Sequence, residues 1–442
     1  MSTRVRQIID RLLHGLLAVP LAWVAGSILL GIAMLWIDAA LADGALPGRL
    51  ETTVEGARSI LTAIAGGLLT SATLLLSLLL VAVQLASSQF SPRTLRDWTG
   101  DRTQQNVVGL VFGTFVYCVV ILRETKAVGE GDGAEQVVPH LSVLLAVVLG
   151  VASLVGVLRA VDRLTTSLQI TDVARSISAA TRAIIRAGDD IGPIGDPLVG
   201  PAVARGDAAR SDAATSTEPA DAAALDRHDG GWLQQIDLDA LYGSLPAGTT
   251  ITMAAALGSY ALPGTPLAWV TPDPGDDAMD ELADAFALGP ERTMQQDVGF
   301  GIVQLVDIAV RALSPGVNDP NTANDVLVHL GAILLDVWSK PTCDEVRSRD
   351  AVRLVVQPFG HDDYLRAAFQ PILRHGADDA DVVATMLATL RTLLAETKRR
   401  ALVGPTEPLL EMGRDALAAF DRGEHLRADR ARVDQIRPVF SR

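Results

Sequence analysis

The stretch "SILTAIAGGLLTSATLLLSLLLVAVQLASSQFSP", residues 59–92, contains no Asp, Glu, Lys or Arg. An α-helix rises 1.5 Å per residue and the hydrocarbon core of a bilayer is about 30 Å thick, so about 20 apolar residues are enough to cross it. This stretch crosses with residues to spare. Its polar side chains are not scattered: Thr62, Gly66, Thr70, Thr73, Ser77, Gln84 and Ser88 follow in steps of three, four or seven, the spacing of one helix face. Leu69, Leu74, Leu75, Leu76, Leu78, Leu79 and Leu80 cover the rest. Two roles fit such a stripe. Hydroxyls and an amide can hydrate a passing ion without fixed charge, so Thr62, Thr70, Thr73, Ser77, Gln84 and Ser88 are candidates to line a pore. Small and hydroxyl-bearing residues also let helices approach closely in lipid, which needs no pore at all.

The same absence of charge holds between Arg11 and Asp38, between Arg102 and Arg123, and between Glu135 and Arg159. Four membrane spans follow, about 12–37, 60–86, 105–122 and 138–158, giving a four-helix transmembrane domain over residues 1–158. The first run also resembles a cleaved signal peptide, with Arg4, Arg6 and Arg11 ahead of it, but it is much longer than the apolar stretch of such a segment. Arginines cluster before the first span (Arg4, Arg6, Arg11), between the second and third (Arg93, Arg96, Arg102), and after the fourth (Arg159, Arg163, Arg175). The positive-inside bias then puts both termini in the cytoplasm of a bacterial-type inner membrane.

Composition divides the chain at the same place. Hydrophobic residues make up 49% and charged ones only 20%, yet the formal net charge is −15. Lys/Arg and Asp/Glu nearly balance up to Arg186, so the negative charge belongs to the second half. Such a surface argues against nucleic acid, whose phosphates need clustered basic residues. It suits solubility, or the attraction of cations. Cys118 and Cys343 cannot build a disulfide framework or a metal site, and Cys118 reads as a small packed hydrophobe.

Inside the other spans, Gly109 and Gly113 in the third, and Ser142, Ala146, Gly150, Ser153 and Gly156 in the fourth, form small-residue surfaces for helix contact. No span carries a Lys, Arg or carboxylate near its middle, where ion-coupled carriers usually place one, and no inverted repeat is visible. Passive conduction, or no transport, is favoured over coupled transport.

Residues 159–187 read as an amphipathic connecting helix with Val161, Leu164, Leu168, Val173, Ile177 and Ile184 on one side, packing on its copies or on anionic lipid. Residues 188–230, rich in Gly, Pro, Ala and Asp, read as a flexible linker or exposed insertion. From 231 to 442 the pattern is that of a cytoplasmic α+β domain. "GWLQQID", "TTITMAAAL" and "SYALPGTPLAWV" are strand-like around a Pro263-Gly264 turn, with a short helix at 238–245. The rhythm is similar to the barrel-sandwich fold of lipoyl and biotinyl domains. No lysine stands at a turn, so no such cofactor, and no cofactor of any kind, is inferred. Two helices follow, about 293–313 and up to Trp338, with a strand at 352–357 and helices at about 380–399 and 405–421.

Between the paired helices lies "RALSPGVNDPNTAND", residues 311–325. Ser314-Pro315-Gly316 stops the first helix; Asn318 or Asp319 can cap the second, with Pro320 at its first position. The string does not match a calcium loop, and Ser314, Asp319 and His329 lack the nucleophile elbow of a catalytic triad. No nucleophile–base pair or metal cluster is visible, so no enzymatic activity is expected.

"SSQFSPR" (residues 87–93), "ERTMQQD" (291–297) and "RALSPGVNDPNTA" (311–323) resemble the prokaryotic predicted-membrane-protein family catalogued as domain of unknown function 2254. The likeness extends to the four spans, the paired helices and "AAFQPIL" (367–373). Asn321 departs from it, standing where an apolar residue is expected, and 188–230 is longer than usual. The resemblance implies the topology and no particular activity. It does imply that the loop does more than turn the chain. Asp297, Asp307, Arg311, Asn318 and Asp319 are then candidates for a polar network that docks subunits or couples the cytoplasmic domain to the spans, with "SSQFSPR" as a possible partner.

Two functions are consistent with these observations. One is a homo-oligomeric channel whose second spans surround an uncharged pore, with cations attracted by the acidic half. The alternative is a membrane-anchored sensor or scaffold whose cytoplasmic domain binds a protein or small ligand.

Overall fold

The computed structural model describes residues 18–41, 53–89, 102–125, 139–167, 170–188, 222–226, 230–341, 346–349, 351–356, 360–402 and 404–441. They belong to two compact units, Gln7–Gln169 and Ile170–Arg442.

The first unit is helical. α1 (Ala18–Leu41), α2 (Val54–Gln89), α3 (Arg102–Glu124) and α4 (His140–Ser167) are each long and apolar enough to cross a membrane. In α3, 50% of the apolar window is buried inside the unit, against 17–22% in the other three, so α3 is the helix around which the others pack. Small residues set the approach. A Cβ on Gly109 would lie 2.5 Å from Trp23 Cδ1 of α1, and one on Gly31 3.0 Å from Val120 Cγ1 of α3. Residue numbers rise together along this contact, so α1 and α3 run parallel. On α4, Gly150 faces Ile64 of α2 and Gly156 faces Val107 of α3, while the Thr114 and Ser153 hydroxyls meet at 3.0 Å in the interior. The small-residue surfaces of spans three and four are helix contacts, and Cys118 is buried among them.

Helix bounds exceed the uncharged runs because a charge ends apolarity, not helicity. α2 starts at Val54, where Thr53 accepts the Gly56 N–H at 3.1 Å, and includes Glu55 and Arg58. α4 continues past Arg159 and Asp162 to Ser167.

The second unit has a β part and a helical part, each with its own core. β1 (Ala223–Asp226), β5 (Pro266–Thr271), β3 (Thr250–Met253), β8 (Val352–Val355) and β7 (Val346–Arg349) form one sheet in that order, antiparallel except for β3 with β8. β4 (Tyr260–Ala261), β2 (Gly231–Ile236) and β6 (Phe286–Gly289) form the other. Leu233, Ile236, Ile251, Val270, Phe286 and Leu354 meet in the core of this part, beside α6 (Leu238–Gly243) and α7 (Asp276–Asp284). β1 falls within the stretch expected to be a linker: its main chain pairs with β5 and Leu225 is buried. Most of 188–230 otherwise lies outside the described residues.

The helical part comprises α5 (Ile170–Ala187), α8 (Val298–Ala312), α9 (Pro320–Trp338), α10 (His361–Gly376), α11 (Ala380–Arg400), α12 (Thr406–Asp421) and α13 (Arg427–Asp434). Trp338, Tyr364, Phe369, Phe420 and Phe440 fill its centre. α9 buries Val326, Leu327, Leu330, Leu334 and Val337 as its periodicity requires. Two elements differ from expectation. α10 contains Pro371, a residue that argues against a helix interior, yet Tyr364, Leu365, Ala368, Phe369 and Ile372 hold it on the core. α5 turns apolar residues into its own chain: Ala174, Ile177 and Ile185 join the core formed with α8 and α9.

Candidate functional site

α2 divides cleanly into two faces. Leu61, Ala65, Leu68, Ala72 and Leu75 are buried against the other helices. Thr62, Gly66, Thr70, Thr73, Ser77 and Gln84 are all exposed on the surface of the unit. Ser88 lies within α2, but its side chain is outside the described residues. The stripe is therefore not used for packing within the four-helix unit.

Three of its hydroxyl protons are already committed. Thr70 Oγ1 donates to the Gly66 carbonyl at 3.0 Å, Thr73 Oγ1 to Leu69 at 3.0 Å, and Ser77 Oγ to Thr73 at 2.8 Å. Each hydroxyl has one donor and two acceptor lone pairs, so what remains outward is acceptor oxygen. A row of such oxygens can solvate cations, while Gln84 adds an amide that both accepts and donates. The same back-bonding also lets Ser and Thr face lipid or another helix at low cost.

One end of the four-helix unit is held by charged groups. Asp38, at the end of α1, accepts from the N–H groups of Leu141 (3.0 Å) and Ser142 (2.9 Å) and from Ser142 Oγ (2.5 Å), capping α4 from another helix. Tyr117 of α3 donates to the Ser142 carbonyl at 3.0 Å. Arg58 of α2 donates twice to the Thr125 carbonyl, 3.1 and 2.9 Å, at the end of α3. In the sequence, Asp38 and Arg58 mark only where the uncharged runs stop. Their partners lie 103 and 67 residues away.

In the second unit the five candidate network residues separate. Asp297 stands at the N-terminus of α8, where it accepts the Phe300 N–H at 2.9 Å and pairs with Arg292, whose guanidinium lies over the Phe300 ring. The rest of "ERTMQQD" stitches this point to the β part. Gln296 accepts the Ile236 N–H at 3.0 Å and donates to the Ile236 carbonyl at 3.2 Å, as an added strand residue would. Gln234 donates to the Glu291 carbonyl at 2.6 Å. Asp307 and Arg311 lie one turn apart further along α8.

Asn318 and Asp319 sit at the opposite end of α8, about 22 Å from its start at 1.5 Å per residue. They build the turn. Ser314 Oγ donates to the Arg311 carbonyl at 2.6 Å, closing α8. Asn318 has φ +50°, and its N–H donates to the Ser314 carbonyl at 2.9 Å. Asp319 caps α9, accepting the Thr322 N–H at 3.3 Å and its hydroxyl at 2.6 Å, with Pro320 in the first helical position. Pro315, Gly316, Val317, Asn318 and Asn321 face outward.

α5 approaches α8 closely at Gly301, where the Thr181 side chain leaves no room for a Cβ. Arg182 pairs with Asp336 at 2.7 Å and Arg186 with the same carboxylate at 3.2 Å. Lys340 donates to the Gly188 carbonyl at 2.5 Å. Of "SSQFSPR", Ser87, Ser88 and Gln89 end α2 and the remainder lies outside the described residues.

The family described as predicted membrane protein (DUF2254) matches residues 14–392. The chain belongs to this family. The DUF2254 match takes in all four membrane helices, the β part, and the helix pair with its turn. An uncharacterized protein of Mycobacterium bovis is 30% identical over 402 residues, covering 88% of this chain and 74% of its own length. An uncharacterized protein of Mycobacterium tuberculosis is likewise 30% identical over 402 residues, with the same coverage. No solved structure matches the chain. This DUF2254 protein is thus a membrane protein with four apolar helices followed by a mixed domain of helices and small sheets.

Proposed function

We propose that the chain is a homo-oligomeric, cation-conducting channel of a bacterial-type inner membrane, with both termini in the cytoplasm and no enzymatic activity. One observation carries the proposal: the hydroxyl stripe of α2 stands on the outer surface of the four-helix unit, presenting acceptor oxygens where another copy can enclose them. The negative charge carried beyond Arg186 favours cations over anions near such an assembly. Gating would enter through α5, which begins at Ile170 shortly after the fourth span and is built into the core with α8 and α9.

Current across a planar bilayer containing the purified protein tests this, with Ser77→Trp beside it. Discrete cation currents lost in an assembled Ser77→Trp variant are the expected result. Equal currents in both would remove α2 from the pore.

A second proposal is a membrane-anchored sensor or scaffold whose cytoplasmic unit binds a protein or small ligand. It is favoured by the back-bonded hydroxyls, which suit α2 for a purely structural helix contact. It expects no current over a range of voltage and salt, and expects stripe substitutions to weaken assembly alone.

A further inference from the structure

α1 packs along α3 through Trp23, Ser27 and Gly31, yet meets α4 only lightly. A trough is left between α1 and α4, with a cavity of about 600 Å³. Ala18, Gly26 and Leu30 line its α1 wall, Leu110 and Thr114 of α3 its floor, and Leu149 of α4 the far side. We propose that this trough holds one acyl chain of a membrane phospholipid. The inference rests on the family's membrane character and is independent of conduction.

Three features select that occupant. The first is length: Ala18 to Leu30 covers about 18 Å of helix at 1.5 Å per residue, while one leaflet contributes about 15 Å of a hydrocarbon core about 30 Å thick. The trough is therefore about as long as one leaflet is deep, the length that acyl chains themselves define. The second is chemistry. The Thr114 hydroxyl is engaged with Ser153 at 3.0 Å, and Ser27 is turned into the contact with Gly113, so the trough has little polar to offer. Water needs two to four polar partners to stay in such a space, roughly, and finds too few. The third is thickness. A transmembrane helix about 10 Å across and 30 Å long occupies about 2,400 Å³, several times this trough, so a second copy could insert only side chains.

Gly26 gives a direct test, because a Cβ built on it meets nothing within 4 Å. A larger side chain there enters the trough and leaves the helix contacts alone. The full chain is reconstituted with phosphatidylglycerol and phosphatidylethanolamine, released in mild detergent, and weighed by native mass spectrometry. The wild type is expected to retain one phospholipid per chain. Gly26→Phe is expected to lose it, while Ala25→Phe, exposed on α1 and outside the trough, keeps it; melting temperatures report folding. Ala22→Leu, a second residue of the trough wall, fills the same space if Gly26→Phe does not fold. Equal retention in wild type and filled variants, or none in the wild type, overturns the proposal. So does a change of oligomeric state in Gly26→Phe without loss of lipid, which would identify a second copy as the occupant.

Discussion

Arg292 and Asp297 form an ion pair closed off from water, with side chains 7% and 0% exposed. A second contact, Nη2 to Oδ1 at 2.9 Å, makes the pair bidentate, and the same carboxylate caps α8. Gly258, at φ +77°, presses its backbone against the pair and leaves no room for a Cβ. Removing one partner of such a pair leaves a buried charge and costs about 3–5 kcal/mol. Arg292→Met and Asp297→Ala are each expected to lower the unfolding free energy of the second unit by about that much in urea titrations. Losses below about 1 kcal/mol would mean that the pair behaves as a solvated surface bridge.

Asp38 is expected to anchor the end of the four-helix unit. Asp38→Ala strands three donors on α4, at about 1–3 kcal/mol for a buried donor without a partner. Asp38→Asn keeps one acceptor oxygen. Melting of the purified protein in detergent should therefore rank wild type above Asn, and Asn above Ala. Three equal melting temperatures would show that the cap contributes nothing.

The turn between α8 and α9 gives opposite expectations for adjacent residues. Asn318 has a left-handed conformation, so Asn318→Gly should be tolerated, whereas Asn318→Val should cost about 1–2 kcal/mol. Asp319→Ala loses a helix cap, about 1 kcal/mol. If the turn also couples the second unit to the proposed conduction, Asn321→Ala, at an exposed position, should alter currents while leaving stability unchanged. No change in current would confine the motif to folding.

What the sequence made legible was local. Uncharged runs located α1 to α4, the seven-residue rhythm separated the two faces of α2, and Pro320 placed a cap just ahead of α9. Long-range choices were hidden. β1 acquires its identity only by pairing with β5, 40 or more residues on. α10 looks broken at Pro371 until its apolar face meets the core. Asp38 resembles any charge at a span edge, because nothing near it announces the helix end it caps. Asp297 and Asp319 share a polar character and a family-like motif, yet α8 holds them at opposite ends.

Acid should loosen the C-terminal end of the chain. Hydrogen bonding from Arg437 holds the Asp421 carboxyl below its ordinary value of 3.8. A carboxylate depressed in the folded state contributes stability above its unfolded pKa and loses that contribution as pH falls through the folded value. Asp421→Asn is therefore expected to be slightly less stable than wild type at pH 7, with the gap closing below about pH 3.8. A gap independent of pH would assign the effect to packing around Asp421.

α5 decides where the second unit begins. A cut at residue 231, at the end of the Gly- and Pro-rich stretch, would discard both α5 and β1. α5 buries Ala174, Ile177 and Ile185 in the helical core, and Arg182 and Arg186 share Asp336. Removing the helix would uncover that apolar surface at about 25 cal/mol per Å² and leave Asp336 without both cations. A fragment of residues 170–442 is expected to be monodisperse and to melt cooperatively, whereas 231–442 should aggregate. Asp336→Ala in the longer fragment should lower its melting temperature without aggregation, since the apolar contacts of α5 remain. If 231–442 melts as cooperatively as 170–442, α5 is an accessory to the fold, and the route from the fourth span into α8 and α9 loses its physical basis.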